Sequence, residues 1–341
     1  MKRFNAFPKL LAAAFIVGLA CFPAYAAPQA NASEKLVVYT NIEPELLTLY
    51  AEAFKKRHPE ITLVWVRDSA GPIAARLLAE KASPKADVIF GLALSALLSL
   101  EGEGVLEPYK AAGLENLAPG MYDDREHPVW TGTNGWGSGI CVNIPLITKL
   151  GLPVPESWKD LTNPIYKNHI VAPSPVSSST AYTDVSTWLM HMGEESGWQF
   201  MKALDANVKM YTHSGCKPAQ MAAQGEFAIG ISAPVCANPY LDRKAPVVVV
   251  IPSEGTGWDL EAAALVKGSK NAEAAKKLLD FASSPEVAAI GAQHGYIPAR
   301  QDAVSPAISE ARKALLPMDP LASAAMRKQV LETWRGLFEA R

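Results

Sequence analysis

Histidine and cysteine are scarce in this chain of 341 residues, with six of the first and four of the second. The cysteines, Cys21, Cys141, Cys216 and Cys236, form no C-x-x-C pair, and no H-E-x-x-H, G-x-S-x-G, G-x-x-x-x-G-K-S/T or complete G-x-G-x-x-G occurs. The usual signatures of zinc hydrolysis, serine-hydrolase chemistry, nucleotide hydrolysis and dinucleotide binding are therefore missing. A Ser-His-Asp triad would have to be assembled from Ser214, His213 and Asp184, and neighbouring Ser and His do not usually face one another. We expect a chain that is not an enzyme and carries no cofactor or metal. A surplus of positive charge is absent too: 32 basic residues face 34 acidic ones, which leaves no electrostatic footprint for nucleic acid. Long apolar runs are limited to Leu10–Phe22, shorter than the ~20 residues a membrane helix needs. No internal repeat or low-complexity tract interrupts the rest.

What is present begins with an export signal. Lys2, Arg3 and Lys9 precede that apolar run, and Ala24-Tyr25-Ala26 offers small residues for cleavage after Ala26. A lipid anchor would use Cys21, but Gly18 stands where such signals carry an aliphatic residue, so cleavage after Ala26 is preferred. Removing residues 1–26 leaves 29 basic and 34 acidic residues, a formal charge of about −5. The mature chain is expected in the periplasm, a compartment that permits disulfides. Cys216 and Cys236 flank a helix–strand pair; they are either bridged, for about 3 kcal/mol, or two free thiols, with the bridge slightly favoured. Cys141, within Gly139-Ile140-Cys141-Val142, reads as a small buried hydrophobe.

Some 315 remaining residues exceed what one hydrophobic core usually serves, so two lobes are expected. Short β-branched runs at 36–39, 62–66, 88–90, 170–171, 228–231 and 247–251 alternate with amphipathic helical patterns at 45–57, 72–81, 94–101, 183–192 and 272–283. That alternation predicts an α/β protein with largely parallel sheets. Residues 118–136, rich in Gly, Pro and Asp, read as a loop leading into a strand at 139–143, the first crossing between lobes. A second crossing falls at 253–259, where Gly255 and Gly257 absorb hinge rotation. Lobe 1 then comprises 35–138 and 260–300, lobe 2 comprises 139–255, and residues 301–341 supply helices packed on the outside.

Ligands of open α/β sheets bind beyond the carboxyl ends of strands, where helix amino termini present unpaired N–H groups. Those positions are polar here: Asn41 follows the first strand, Asp68 and Ser69 the second, and Gly91 the third. In the second lobe Ser177, Ser178, Ser179 and Thr180 precede a helix, and Tyr211, Thr212, His213 and Ser214 precede another. Four consecutive hydroxyls at a helix start suit a phosphate-like or carboxylate anion, although one of them serving as a cap is the plainer role. Asp68, Asp259 and Glu261 with Trp136, Tyr182, Tyr211 and Trp258 supply carboxylates and rings suited to an ammonium group.

The strings Trp65-Val66-Arg67-Asp68-Ser69, Leu77-Leu78-Ala79-Glu80-Lys81, Ala86-Asp87-Val88 and Gly91-Leu92-Ala93 resemble the amino-terminal lobe of periplasmic 2-aminoethylphosphonate-binding proteins of ABC importers. Ser157 to Thr162, Asp184-Val185-Ser186, Tyr211 to Gly215, Gly230-Ile231-Ser232 and Gly257 to Ala262 resemble that family's later motifs, so the likeness spans about 35–281. The resemblance implies a two-lobed type II periplasmic-binding fold with a hinge and an interlobe cleft, acting as a monomer with a permease and its ATPase as partners. It implies that Ser177, Ser178, Ser179, Thr180, Tyr211 and Thr212 hold a phosphonate while Asp68 or Asp259 neutralises an amine. The sequence departs from the pattern at Ala233-Pro234-Val235-Cys236, where the family carries an aromatic and an arginine. Another small anion or ferric iron is the alternative ligand, but the tyrosine pair of the related ferric-iron binders is missing and Tyr240 stands alone.

Overall fold

The structure, a computed structural model, describes residues 34–303 and 305–339. The export signal and Cys21 lie outside the described residues. Twelve strands are arranged in two sheets: β1 Glu34–Thr40, β2 Ile61–Arg67, β3 Val88–Ala93, β4 Leu106–Glu107, β5 Thr131–Gly137, β6 Gly139–Asn143, β7 Ile170–Pro173, β8 Val208–Thr212, β9 Ile229–Ser232, β10 Val247–Val250, β11 Trp258–Val266 and β12 Ile297–Pro298. The larger sheet runs β12-β5-β11-β3-β1-β2 with β4 also on β11, and the smaller runs β10-β6-β9-β7-β8.

Strand composition follows position. Every residue of β3, Val-Ile-Phe-Gly-Leu-Ala, is buried, as a central strand covered on both faces requires. β2, at the edge, leaves most of its residues partly or fully exposed. Helices cover the sheets, and Tyr50, Phe54, Phe90 and Phe281 pack edge to face in the larger core, with Tyr50–Phe90 centroids 5.6 Å apart and Phe54–Phe281 5.5 Å. Trp158, Trp188, Tyr166, Tyr182 and Trp334 build the smaller one.

Several expectations need correction. The sheets are mixed: β1 pairs in parallel with β2 and β3, and β7 with β8 and β9, but β11 is antiparallel to β3, β4 and β5, and β6 to β9 and β10. Strands that cross from one sheet to the other enter against the direction set by the helix-linked strands. Residues 131–136, read as loop, belong to β5, whose Thr-Gly-Thr-Asn-Gly-Trp-Gly sequence has low strand propensity and is held by neighbours on both sides. β3 does not end before Gly91 but continues through it with a positive φ of 70°. The helix Pro320–Trp334 buries one face, with Ser323, Arg327, Val330 and Trp334, and leaves Leu321 exposed.

The chain passes between sheets twice, from β5 to β6 through Ser138 and from β10 to β11 through 251–257. The two passages are stitched together: the Ser138 N–H donates to the Gly257 carbonyl (3.2 Å) and Thr256 Oγ1 (3.1 Å), and the Thr256 hydroxyl donates to the Ser138 carbonyl (2.8 Å). Gly257 is needed for close approach rather than rotation, because a Cβ there would lie 1.9 Å from Thr187 Oγ1. Gly255 has φ +89°, a conformation glycine adopts without strain.

Candidate functional site

Between the carboxyl ends of the two sheets lies an open-mouthed cavity lined from both. One wall is made by the amino terminus of the helix Ser179–Met192 and the turn after β8. Ser178 caps that helix, its hydroxyl accepting from the Ala181 N–H at 3.4 Å, and Ser178, Ser179 and Thr180 all line the cavity with Ser214 and Gly215. Gly215 is pressed against these hydroxyls: a Cβ there would sit 2.4 Å from Thr180 Oγ1 and 2.7 Å from Ser178 Oγ. Its carbonyl accepts from the Ser232 hydroxyl at 2.6 Å, which fixes the turn to β9. Backbone and hydroxyl groups thus converge on one concave spot at the positive end of a helix.

The opposite wall is acidic and aromatic. Asn41, Glu43, Arg67, Ser69, Trp136, Glu261 and Tyr296 face the same cavity. Arg67 donates from Nε to the Ile42 carbonyl (2.8 Å) and pairs with Glu43 (2.6 Å). Burial pushes the Glu43 carboxyl up in spite of that pair. Glu261 is buried on β11 at a register shift, and its Oε2 has no hydrogen-bond partner. Burial, with Glu43 and Asp259 nearby, holds its carboxyl well above the ordinary range. Burial likewise pushes up the phenols of Tyr50 and Tyr296, with Glu261 a further cause for both.

Of the residues anticipated from sequence, Asn41, Ser69, Trp136, Ser178, Ser179, Thr180 and Ser214 meet at this cavity. The others lie elsewhere. The Ser177 hydroxyl donates to the His213 carbonyl (2.8 Å), and Thr212 Oγ1 donates to the Ser214 carbonyl (2.9 Å). Tyr211 meets Trp334 edge to face and donates to Asp205, packing against the core of the smaller sheet. Gly91 lies beneath Ile42, and Trp258 donates from its indole to the Leu316 carbonyl (3.1 Å). Of the three carboxylates suited to an ammonium group, Glu261 lines the cavity and Asp68 and Asp259 do not. Asp68 pairs with His213 at the mouth (2.9 Å), where hydrogen bonds from His213 and the Ser69 N–H outweigh its partial burial and hold its carboxyl low. Asp259 is buried against Ser95, whose hydroxyl donates to it at 2.6 Å.

Glu43, Arg67, Tyr296 and Gly215 are not among the site residues expected from sequence, whereas Glu261 is grouped there with Asp68 and Asp259 as a carboxylate suited to an ammonium group. The available signal for Glu261 was a lone acid within Leu260-Glu261-Ala262-Ala263-Ala264-Leu265-Val266. A disulfide joins Cys216 to Cys236, with Cα atoms 5.1 Å apart, and both residues line the cavity beside Ala233 and Val235. The atypical stretch from Ala233 therefore closes one side of the site. Cys141 is a buried free thiol, pushed up to about 12 by burial. Contacts also bridge the mouth: the Gly71 N–H donates to the Ser177 carbonyl (2.9 Å), and the Ser69 hydroxyl to the His213 carbonyl (3.3 Å).

Residues 83–319 match the family described as bacterial extracellular solute-binding protein. A Haemophilus influenzae protein of uncharacterised role is 33% identical over 266 residues, covering 75% of each chain. A probable ABC transporter periplasmic-binding protein of Sinorhizobium fredii is 27% identical, covering 95% of this chain and 88% of its own. The periplasmic binding protein AfuA from Actinobacillus pleuropneumoniae, solved with exogenous fructose-6-phosphate bound, superposes with a TM-score of 0.85 at 29% identity, covering 90% of this chain and 99% of that one. The mixed α/β fold is that of type II periplasmic binding proteins.

Proposed function

The chain belongs to the bacterial extracellular solute-binding protein family, and from that premise we propose that its solute is a small organic phosphonate or phosphate. It is a periplasmic binding protein of an ABC importer, not an enzyme, and its partners are a small-molecule ligand, a permease and the ATPase of that permease. The observation that carries the ligand class is the convergence of Ser178, Thr180 and Gly215 at the start of the helix Ser179–Met192. Neutral hydroxyl and amide donors at a helix amino terminus suit a phosphoryl oxyanion without demanding a lysine or arginine. Arg67, already committed to Glu43, faces it from the other wall. The Actinobacillus relative's fructose-6-phosphate and the 2-aminoethylphosphonate of the sequence resemblance share this oxyanion and differ in the tail. Ferric iron is disfavoured: Tyr296 is the tyrosine that lines the cavity, and it is buried with its phenol pushed up.

On this reading residues 1–26 direct export, the mature chain works as a monomer, and the two sheets with their helices are lobes that close about the Ser138 and Thr256 passages. Titration calorimetry and native mass spectrometry of freshly purified protein test the ligand class. A phosphonate or phosphate ester is expected to bind or to be retained. No heat and no rise in melting temperature at millimolar concentrations of either class would refute it, because a thousandfold excess over Kd stabilises by about 4 kcal/mol.

A further inference from the structure

The cavity wall opposite the hydroxyl cradle carries a carboxyl group with one oxygen, Glu261 Oε2, that no protein group satisfies. Glu261 is 3% exposed, its Oε2 lacks a partner, and it borders the same cavity as the hydroxyl cradle. It sits where β11 shifts register against β5, a local irregularity that re-aims side chains. We propose that Glu261 selects the ligand's tail, taking a primary ammonium in exchange for the proton of its own carboxyl. The proposal rests on the phosphonate reading above and adds the chemistry of the other end of the molecule.

The surroundings set the direction of the exchange. Glu43 from the turn after β1 and Asp259 from the same strand add negative charge, and Tyr50 and Tyr296 bring neutral phenols. Asn134 stands opposite on β5, and its Nδ2 donates to the Tyr50 hydroxyl rather than to Glu261. Arg67, the nearby cation, is held by Glu43 and the Ile42 carbonyl. Burial and like charge therefore favour the neutral acid in the empty cavity, consistent with its raised pKa. An ammonium arriving beside Oε2 reverses this balance: the O–H bond of the acid breaks, the proton leaves to solvent, and a carboxylate–ammonium pair forms. A tail of neutral hydroxyls meets the protonated acid as it stands and releases nothing.

The test is calorimetry of 2-aminoethylphosphonate and of ethylphosphonate in buffers of different ionisation enthalpy, with wild-type protein and Glu261→Gln. Comparing the two proteins with one ligand cancels protons released by the phosphonate itself. For the aminated ligand near neutral pH, wild type is expected to release about one proton more than the variant and to bind about tenfold more tightly. For ethylphosphonate the difference between the two proteins should be several-fold smaller in both quantities, and matching circular dichroism spectra and melting temperatures show that the variant is folded. Equal proton release from both proteins, or equal loss of affinity for both ligands, overturns the role of Glu261 while leaving the phosphonate reading intact. Failure of every phosphonate and phosphate ester to bind wild type removes that reading and this inference together.

Discussion

Breaking the Cys216–Cys236 bond is expected to lower stability by about 3 kcal/mol. The bond closes a loop with a sequence separation of 20. The chain-entropy relation gives about 11 cal/mol/K for such a loop, or about 3 kcal/mol at 25 °C. At about 2 °C per kcal/mol for a chain of this size, the melting temperature should fall by about 6 °C. The bond spans the helix Lys217–Ala223 and β9, which carries the Ser232 hydroxyl that holds the Gly215 carbonyl, so ligand affinity should fall as well. Thermal unfolding followed by circular dichroism, with and without reductant, measures the first effect. A Cys216→Ser, Cys236→Ser double variant should match the reduced protein and ignore reductant. Alkylation of the unreduced native protein should label none of the three cysteines, since Cys141 is buried. Reduced, oxidised and variant proteins melting within 1 °C of one another, about a sixth of the expected shift, would refute the loop-entropy argument.

Ser178→Ala and Thr180→Ala should each weaken oxyanion binding by about 1–3 kcal/mol. Ser178→Ala should also lower thermal stability by about 1 kcal/mol through loss of its cap, and unchanged affinity in both would reduce these residues to structural roles. Asp68→Asn removes an exposed pair with His213, so stability should change by less than about 1 kcal/mol and aminated and neutral ligands should be affected alike; selective loss of the aminated ligand would contradict the placement of Asp68 at the mouth. Asp184 is fully buried, and burial pushes its pKa up to about 8 in spite of the neighbouring Ser138 side chain, which pulls it down. Its folded-state value exceeds the unfolded one, so the stability it contributes is present below about pH 4 and lost as pH rises towards 8. Asp184→Asn should flatten the fall in melting temperature between pH 5 and 8, and parallel profiles for the two proteins would reject this.

The helix-linked strands were legible because local pattern and fold agree in them. β1, β2 and β7 carry apolar β-branched runs, and the helices at 44–57 and 272–282 carry apolar positions at helical spacing. β5 and β11 were not legible. The first is rich in glycine and the second in alanine, and each is a strand because its neighbours supply hydrogen bonds on both sides. The hydroxyl half of the site was readable because Ser178, Ser179 and Thr180 are contiguous and stand at a helix start. The acidic half was not: Glu43, Arg67, Glu261 and Tyr296 come from four separate segments that only sheet pairing assembles.

Local chemistry therefore determined the secondary structure of most segments, the absence of familiar catalytic motifs and the donors at the helix start. Tertiary structure decided which carboxylates face the cavity. Asp68 and Asp259 have the same charge as Glu261, but one is engaged by His213 in solvent and the other by Ser95 in the core. A carboxyl group comes to face the cavity through burial, the partners it lacks and the direction a bulged strand gives it, and these arise only when distant strands lie side by side.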